Sequence, residues 1–365
     1  MRKRMRRGGW LLIGIASTVS SSCGAPVRPI TEPAAPASRS SVETTPPSRA
    51  NQAPAIKNAT RPEQAQSAAP EQGAPAFPPP RFEPPHARSA KPEDGQWVPV
   101  GDASKGELAG QEPRLIYRTT VHPHPASKFI TVTVVAIDLT RASLHLVAGT
   151  DEPESKAVPK QDRPALVPAE HQATLLAVFN GGWQTRHGHW GVMVDGRVFV
   201  PPKPEGCTLA IHRDQSLRLA SWTALDAKEA ELIAYRQTPP CLLENGALHP
   251  RLAAHDDRPW GGNNPKLKTR RRSAIALDGT RSVLFYGFGD EASARELAEG
   301  LRIAGAAHAA ELDINHSWTR FLLPGRPPPN GALQITSTLV PDMTHRTLGY
   351  VSKPEPRDFF YVKRR

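Results

Sequence analysis

"ELDINHSWTRF", Glu311 to Phe321, sets an acid, an amide and an imidazole among apolar side chains. Leu312 and Ile314 alternate with Asp313, Asn315 and Ser317, a period-two pattern that predicts a strand with one apolar and one polar face. On that reading Leu312 and Ile314 face the core, and Asp313 and Asn315 face a cleft. An edge strand with a plain polar outside is the competing reading. The stretch follows a helical segment and regains apolar character at Trp318 and Phe321. A strand that breaks its pattern with adjacent polar residues in such a setting points to a site.

Upstream, "DEASARELAEGLRIAGA" (290–306) has the marks of a helix: Asp290 as cap, an apolar stripe of Leu297, Leu301 and Ile303, and Gly305 at the end. Before it, "SAIALDGTRSVLFYGFG" (273–289) reads as two strands turning at Asp278-Gly279. "GVMVDGRVFV" (191–200) does the same at Asp195-Gly196, and "CTLAIHRDQSLRLASW" (207–222) around Arg213 to Ser216. "KFITVTVVAIDLT" and "ASLHLVAGT" alternate as strands joined at Asp138 to Ala142. Many hairpins and few helices predict an α+β domain on a mostly antiparallel or mixed sheet core.

Two further segments carry candidate residues. In "FNGGWQTRHGHWG" (179–191) a strand ends at Phe179, and Asn180 opens a loop where Gly181 and Gly182 let backbone approach a ligand. His187 and His189 are spaced to share a metal, but no third ligand stands at suitable spacing, so a solvated loop is the reading adopted and no metal is assigned. In "NPKLKTRRRSAIAL" (264–277), Lys266, Lys268, Arg270 and Arg271 read as a solvated charge run. Arg272 stands where the apolar pattern begins, and there its planar fork can meet a phosphate or carboxylate.

The ends set the compartment. "MRKRMRRGG" followed by "WLLIGIASTV" is a basic start and an apolar run too short to span a bilayer, so residues 1–22 read as a signal peptide. Cys23 after small residues predicts a lipid anchor and a bacterial envelope location, with plain secretion as the alternative. The net charge of +11 falls to about +6 once the five basic residues of the leader are removed. No basic stripe with interleaved aromatics remains, which argues against nucleic acid. Of the three cysteines, Cys207 and Cys241 are left as a possible disulfide pair in an oxidising space, with two buried thiols as the alternative. Residues 23–113 are rich in Pro, Ala and Ser and predict a disordered tether, leaving 114–365 as the folded domain.

The order "FNGGW", "GVMVDGRV", "CLLENGAL", "RRSAIALDG" and "AAELDINHS" resembles the phosphodiester glycosidase domain over roughly Val132 to Leu323. The resemblance implies that Asn180, Gly181, Gly182, Arg272 and Asp313 gather around a cleft. "RSAIA" departs from the family's R-T-A-I-G, and "LDINHS" replaces all three glycines of L-D-G-G-G-S, so a backbone phosphate nest is not implied. The implied activity is hydrolysis of the sugar C1–O bond of a sugar 1-phosphodiester in a glycan or glycoconjugate, without a cofactor. Arg272 would hold the phosphate, aided by protonated His316. Asp313 would stabilise an oxocarbenium-like state, activate water or orient a 2-acetamido group, while Asn180 and Asn315 hold sugar hydroxyls. A catalytically idle glycan-binding lipoprotein is the alternative, and a metal-dependent hydrolase built on His187 and His189 is a third.

Overall fold

A computed structural model describes residues 76–225, 229–262 and 270–365. The signal peptide, Cys23, the tether up to residue 75, Lys266 and Lys268 lie outside the described residues.

The strands in chain order are β1 (Val98–Pro99), β2 (Ile116–Val121), β3 (Thr131–Asp138), β4 (Ala142–Val147), β5 (Leu175–Asn180) and β6 (Val192–Val194). They continue with β7 (Arg197–Val200), β8 (Cys207–His212), β9 (Leu217–Ser221), β10 (Leu232–Thr238), β11 (Leu243–Glu244) and β12 (Ala247–Leu248). The last are β13 (Arg270–Leu277), β14 (Val283–Ala292), β15 (His308–Ile314), β16 (Phe321–Gly325), β17 (Gln334–Thr338) and β18 (Phe359–Arg364). The α-helices are α1 (Pro250–Ala253) and α2 (Ala294–Ile303).

These strands form three sheets, in the orders β1-β2-β3-β14-β13-β15-β11-β12, β7-β6-β10-β8-β9 and β17-β16-β5-β18-β4. Each pairing within them is antiparallel, for example β13 with β14 and β15. Few helices and mostly antiparallel sheets agree with the α+β expectation. The turns owe much to local chemistry: Asp195 and Gly196 both have positive φ, 50° and 72°, the twist a two-residue hairpin requires. The expected pairing of β3 with β4 does not form. The short turn between them carries the chain from the first sheet to the third, where β4 pairs with β18.

One core is shared by all three sheets and includes Ile275, Tyr286, Leu312, Phe179, Phe321 and Phe360. A second lies on the other face of the first sheet, where Ala274, Ala276 and Phe285 pack with Leu297 and Leu301 of α2. β13 and β14 are therefore buried on both faces, which explains their almost unbroken apolar runs. The cap of α2 corrects the sequence reading. Ser293 and Glu296 form a reciprocal capping box, while Asp290 lies in β14 and binds Arg271. Cys207 and Cys241 are joined as a disulfide, their Cα atoms 4.7 Å apart.

The boundary at residue 114 is also corrected. β1 pairs with β2, Trp97 and Phe82 pack against the α2-side core, and Asp94 binds His122 at 2.8 Å with both side chains fully buried. Single aromatic and charged anchors hold this proline-rich segment down. They leave no periodic pattern, so composition alone hides them.

Candidate active site

β15 carries one residue more than its neighbour where the site forms. Arg272 pairs with Ile314 but Ala274 pairs with Glu311, so two steps along β13 face three along β15. Such a bulge re-aims the side chains beside it. Asp313 sits in this bulge, 8% exposed, and its backbone N–H donates to the Gly181 carbonyl at 3.1 Å. Its Oδ1 accepts from the Ile314 amide at 2.9 Å, and its Oδ2 accepts from Nη2 of Arg357 at 2.5 Å.

Arg357 precedes β18 and also donates to the Gly182 carbonyl at 3.3 Å. Its buried Nε has no hydrogen-bond partner among the described residues. The guanidinium packs on the ring of Trp318, 4.7 Å from its centroid, and Arg320 reaches the same ring at 5.4 Å. Arg320 in turn donates to the Tyr350 hydroxyl and lies 3.6 Å from Glu355, which also binds Arg346. Burial raises the Asp313 carboxyl to about 6, and the nearby Asp358 charge adds to this. Arg357 and the Ile314 amide hold it from going higher. A carboxyl at that value can take or give a proton near neutral pH.

A buried ion pair shapes the glycine loop. Asp358 accepts from Nε of Arg236 at 2.8 Å and from the Gly182 amide at 3.1 Å. A Cβ on Gly181 would stand 2.0 Å from Asp358 Oδ2, and one on Gly182 would stand 2.7 Å from Arg236 Cζ. The two glycines thus make room for an internal pair. Among the named charges here, Arg236, Arg320, Arg346 and Arg357 outnumber Asp313, Glu355 and Asp358 by one, which favours an anionic ligand. Arg357 and Trp318 also line a cleft of about 730 Å³, with Lys156, Lys160, Arg163 and His189 beside the acids Asp151, Glu152 and Glu154 on its other walls. That volume suits a ligand of several rings.

The structure brings Asp313 together with Gly181 and Gly182, and it corrects four other expectations. Arg272 shares a face with Ala274, the α2 side, and is fully buried. It donates to Glu311 at 2.5 Å and to the carbonyls of Trp260 and Ala292. Its fork is spent inside the protein, on the sheet face opposite Ser273. Asn180 is buried at the end of β5 and uses its whole amide internally. It donates to Ser273 Oγ and the Gly181 carbonyl, and it accepts from the Tyr286 hydroxyl and the Arg320 amide. No capacity is left for a sugar hydroxyl. Asn315 has φ of 92°, lies past the end of β15, and folds its exposed side chain onto the Ser317 amide. His316 is exposed and stands by Asp290 and Glu291, their ligand atoms within 4.8 Å of one another, and it is not among the residues that line the pocket at Asp313.

Arg357, Asp358, Arg236 and Trp318 are the residues the pattern missed. A signal was present in "PEPRDFF" (354–360), a charged cluster leading straight into an apolar strand, but it lies beyond Leu323, where the motif order stops.

An expected result tests this electrostatic arrangement. Arg357→Met removes the largest influence opposing burial, so the Asp313 pKa should rise above its wild-type value of about 6. Carboxyl-carbon NMR titration of Asp313 reads it directly, and an unchanged or lower value would contradict the pairing. In the wild type, the native carboxyl keeps its proton above the ordinary aspartate value of 3.8. Its contribution to stability should therefore fall as pH rises from there to about 6.

No protein-family model matches the chain, and no curated protein does. Among solved structures, the chain is similar to the catalytic domain of zebrafish N-acetylglucosamine-1-phosphodiester alpha-N-acetylglucosaminidase, with 14% identity and a TM-score of 0.44, over 71% of this chain and 87% of that one. It is also similar to a hypothetical protein from Synechocystis, with 14% identity and a TM-score of 0.39, over 69% of this chain and 62% of that one.

Proposed function

We propose that the cleft beside Trp318 binds a glycan or glycoconjugate bearing a sugar 1-phosphodiester, and that Asp313 and Arg357 hydrolyse its C1–O bond. The observation that carries this reading is a buried carboxyl with its pKa near 6, bonded to an arginine at the edge of a large cleft. Arg357 takes the phosphate role that the motif order had assigned to Arg272. Its unpartnered Nε and the positive surroundings suit a phosphate oxygen. The bond between C1 and the phosphate oxygen breaks, and its electron pair leaves with the phosphate monoester. That group departs as a stable anion, its second pKa being about 6, so it needs a cation more than a proton. Water adds to C1 and gives its proton to Asp313, which releases it to solvent. Support comes from the motif order in the sequence together with this geometry.

The test is incubation of the protein with a panel of sugar 1-phosphodiesters, resolving free sugar and phosphate monoester by mass spectrometry. Release of both from at least one substrate is expected. Saturable glycan binding without release would favour a binding protein, and the absence of both release and binding would remove the glycan reading altogether.

We further propose that the mature chain begins at a lipidated Cys23 and is held at a bacterial envelope, on the strength of the basic start and the short apolar run. Intact-mass analysis should show acyl chains on the wild type and none on Cys23→Ser. A mature N-terminus at another, unmodified residue would contradict it.

A further inference from the structure

We propose that a second pocket, distinct from the cleft beside Trp318, binds a small uncharged aromatic molecule of about the size of a phenol or an indole. It lies where the third sheet meets the second, with β4 and β18 on one side and β6, β7, β8 and β10 on the other. Its volume is about 260 Å³, and Val194, Phe199, Ile211 and Ile233 form apolar walls. Burying one aromatic ring against such walls is favourable, and the volume excludes an oligosaccharide.

One end of the pocket is polar and already ordered. Tyr361 pairs with His145 across β18 and β4, and their rings stack with centroids 4.7 Å apart and an interplanar angle of 10°. Nδ1 of His171 meets the Tyr361 hydroxyl at 2.6 Å, and Nε2 of His145 meets Ser143 Oγ at 2.9 Å. Each imidazole thus spends one ring nitrogen within the protein. Among the described residues, His145 Nδ1 and His171 Nε2 have no hydrogen-bond partner. A ligand hydroxyl or indole N–H would find a partner there, and its ring would meet three aromatic side chains.

The same surroundings favour a neutral ligand over a charged one. Burial holds His145 well below the usual imidazole range, at about 4, with His171 and Lys363 adding to the effect, so it is neutral at ordinary pH. Arg163 lines the pocket but donates to the carbonyls of Val158, Pro153 and Gly149, and its guanidinium lies over Phe199. It offers no fork to an anion. Arg197, Glu170 and Asp195 also line the pocket but are exposed at its rim, one base against two acids, so an ion would lose hydration inside while meeting only solvent-screened charges of both signs. Nor do the two imidazoles form a metal site with Glu170 and Asp195. The ligand atoms that converge among the described residues are those of Asp290, Glu291 and His316, elsewhere in the fold.

The experiment is titration of the whole protein with phenol, indole and benzoate, read by calorimetry and by intermolecular NOEs. Phenol or indole should bind saturably and show NOEs to Tyr361 and Val194, and benzoate should bind at least tenfold more weakly. Ile233→Trp should fill the pocket and weaken phenol and indole at least tenfold while keeping the wild-type melting temperature. The proposal is overturned by benzoate binding as well as phenol, by NOEs at other residues, or by the absence of saturation with both neutral probes. Undiminished binding in a folded Ile233→Trp variant would also overturn it. If that variant does not fold, the wild-type NOE pattern decides.

Discussion

Arg272→Ala should lower the melting temperature by roughly 10 °C, a loss of about 3 to 5 kcal/mol for breaking a fully buried pair. Arg272 and Glu311 are both 0% exposed, and Arg272 also caps the carbonyls of Trp260 and Ala292. Removing the arginine takes from the Glu311 carboxyl its hydrogen-bonded partner in an apolar layer under α2, with the Arg270 charge left to oppose burial. An exposed pair such as Arg258 with Asp256 contributes little by comparison, because solvent screens it. Burial already raises Glu311 to about 7, against the pull of Arg272. The native state then keeps a proton that the unfolded chain releases above about 4.5, so stability falls as pH rises through that window. The variant, with Arg272 gone, should therefore be markedly less stable at pH 8 than at pH 5. The double change Arg272→Met with Glu311→Leu should recover much of the loss, because it removes both charges and their desolvation cost. Thermal melts at the two pH values check all three statements. A melting temperature unchanged in Arg272→Ala would mean that the arginine is not the buried anchor described.

The misreading of Arg272 has an instructive cause. Strand periodicity assigns faces correctly only while the register is unbroken, and the extra residue in β15 shifts the parity between Glu311 and Ile314. The family resemblance brings Arg272 and Asp313 to one cleft, yet they serve opposite faces of the sheet. Short-range features were legible because their causes are local. The Asp195-Gly196 turn needs two residues with positive φ, and the α2 stripe needs only helical spacing. Asp313 could be picked out because it breaks an apolar run. Its partner could not, since Arg357 stands 44 residues further on and arrives through the packing of the third sheet against the first. Asn180 shows a related limit. Its position at a strand end was evident, but whether its amide faces a ligand or the interior depends on Tyr286 and Ser273, from other strands. The anchors of residues 76–113 escaped for the same reason, because a lone Trp97 or Asp94 acquires meaning only from what it meets.

Asp313→Asn is the second change with a large expected effect, this time on chemistry and not on stability. The amide keeps the shape of the carboxylate, its one oxygen can accept from Arg357 or from the Ile314 amide but not from both, and the backbone bond from residue 313 to the Gly181 carbonyl remains, so the fold around the bulge should hold. It loses the ability to take a proton, and removal of a general base costs on the order of a hundredfold or more. The measurement that bears most directly on the proposed site is turnover of a sugar 1-phosphodiester by wild type and Asp313→Asn, with melting temperatures taken on the same samples. The expected result is a fall in kcat of at least about a hundredfold with the melting temperature nearly unchanged. Equal turnover by the two proteins would show that Asp313 is not the working carboxylate.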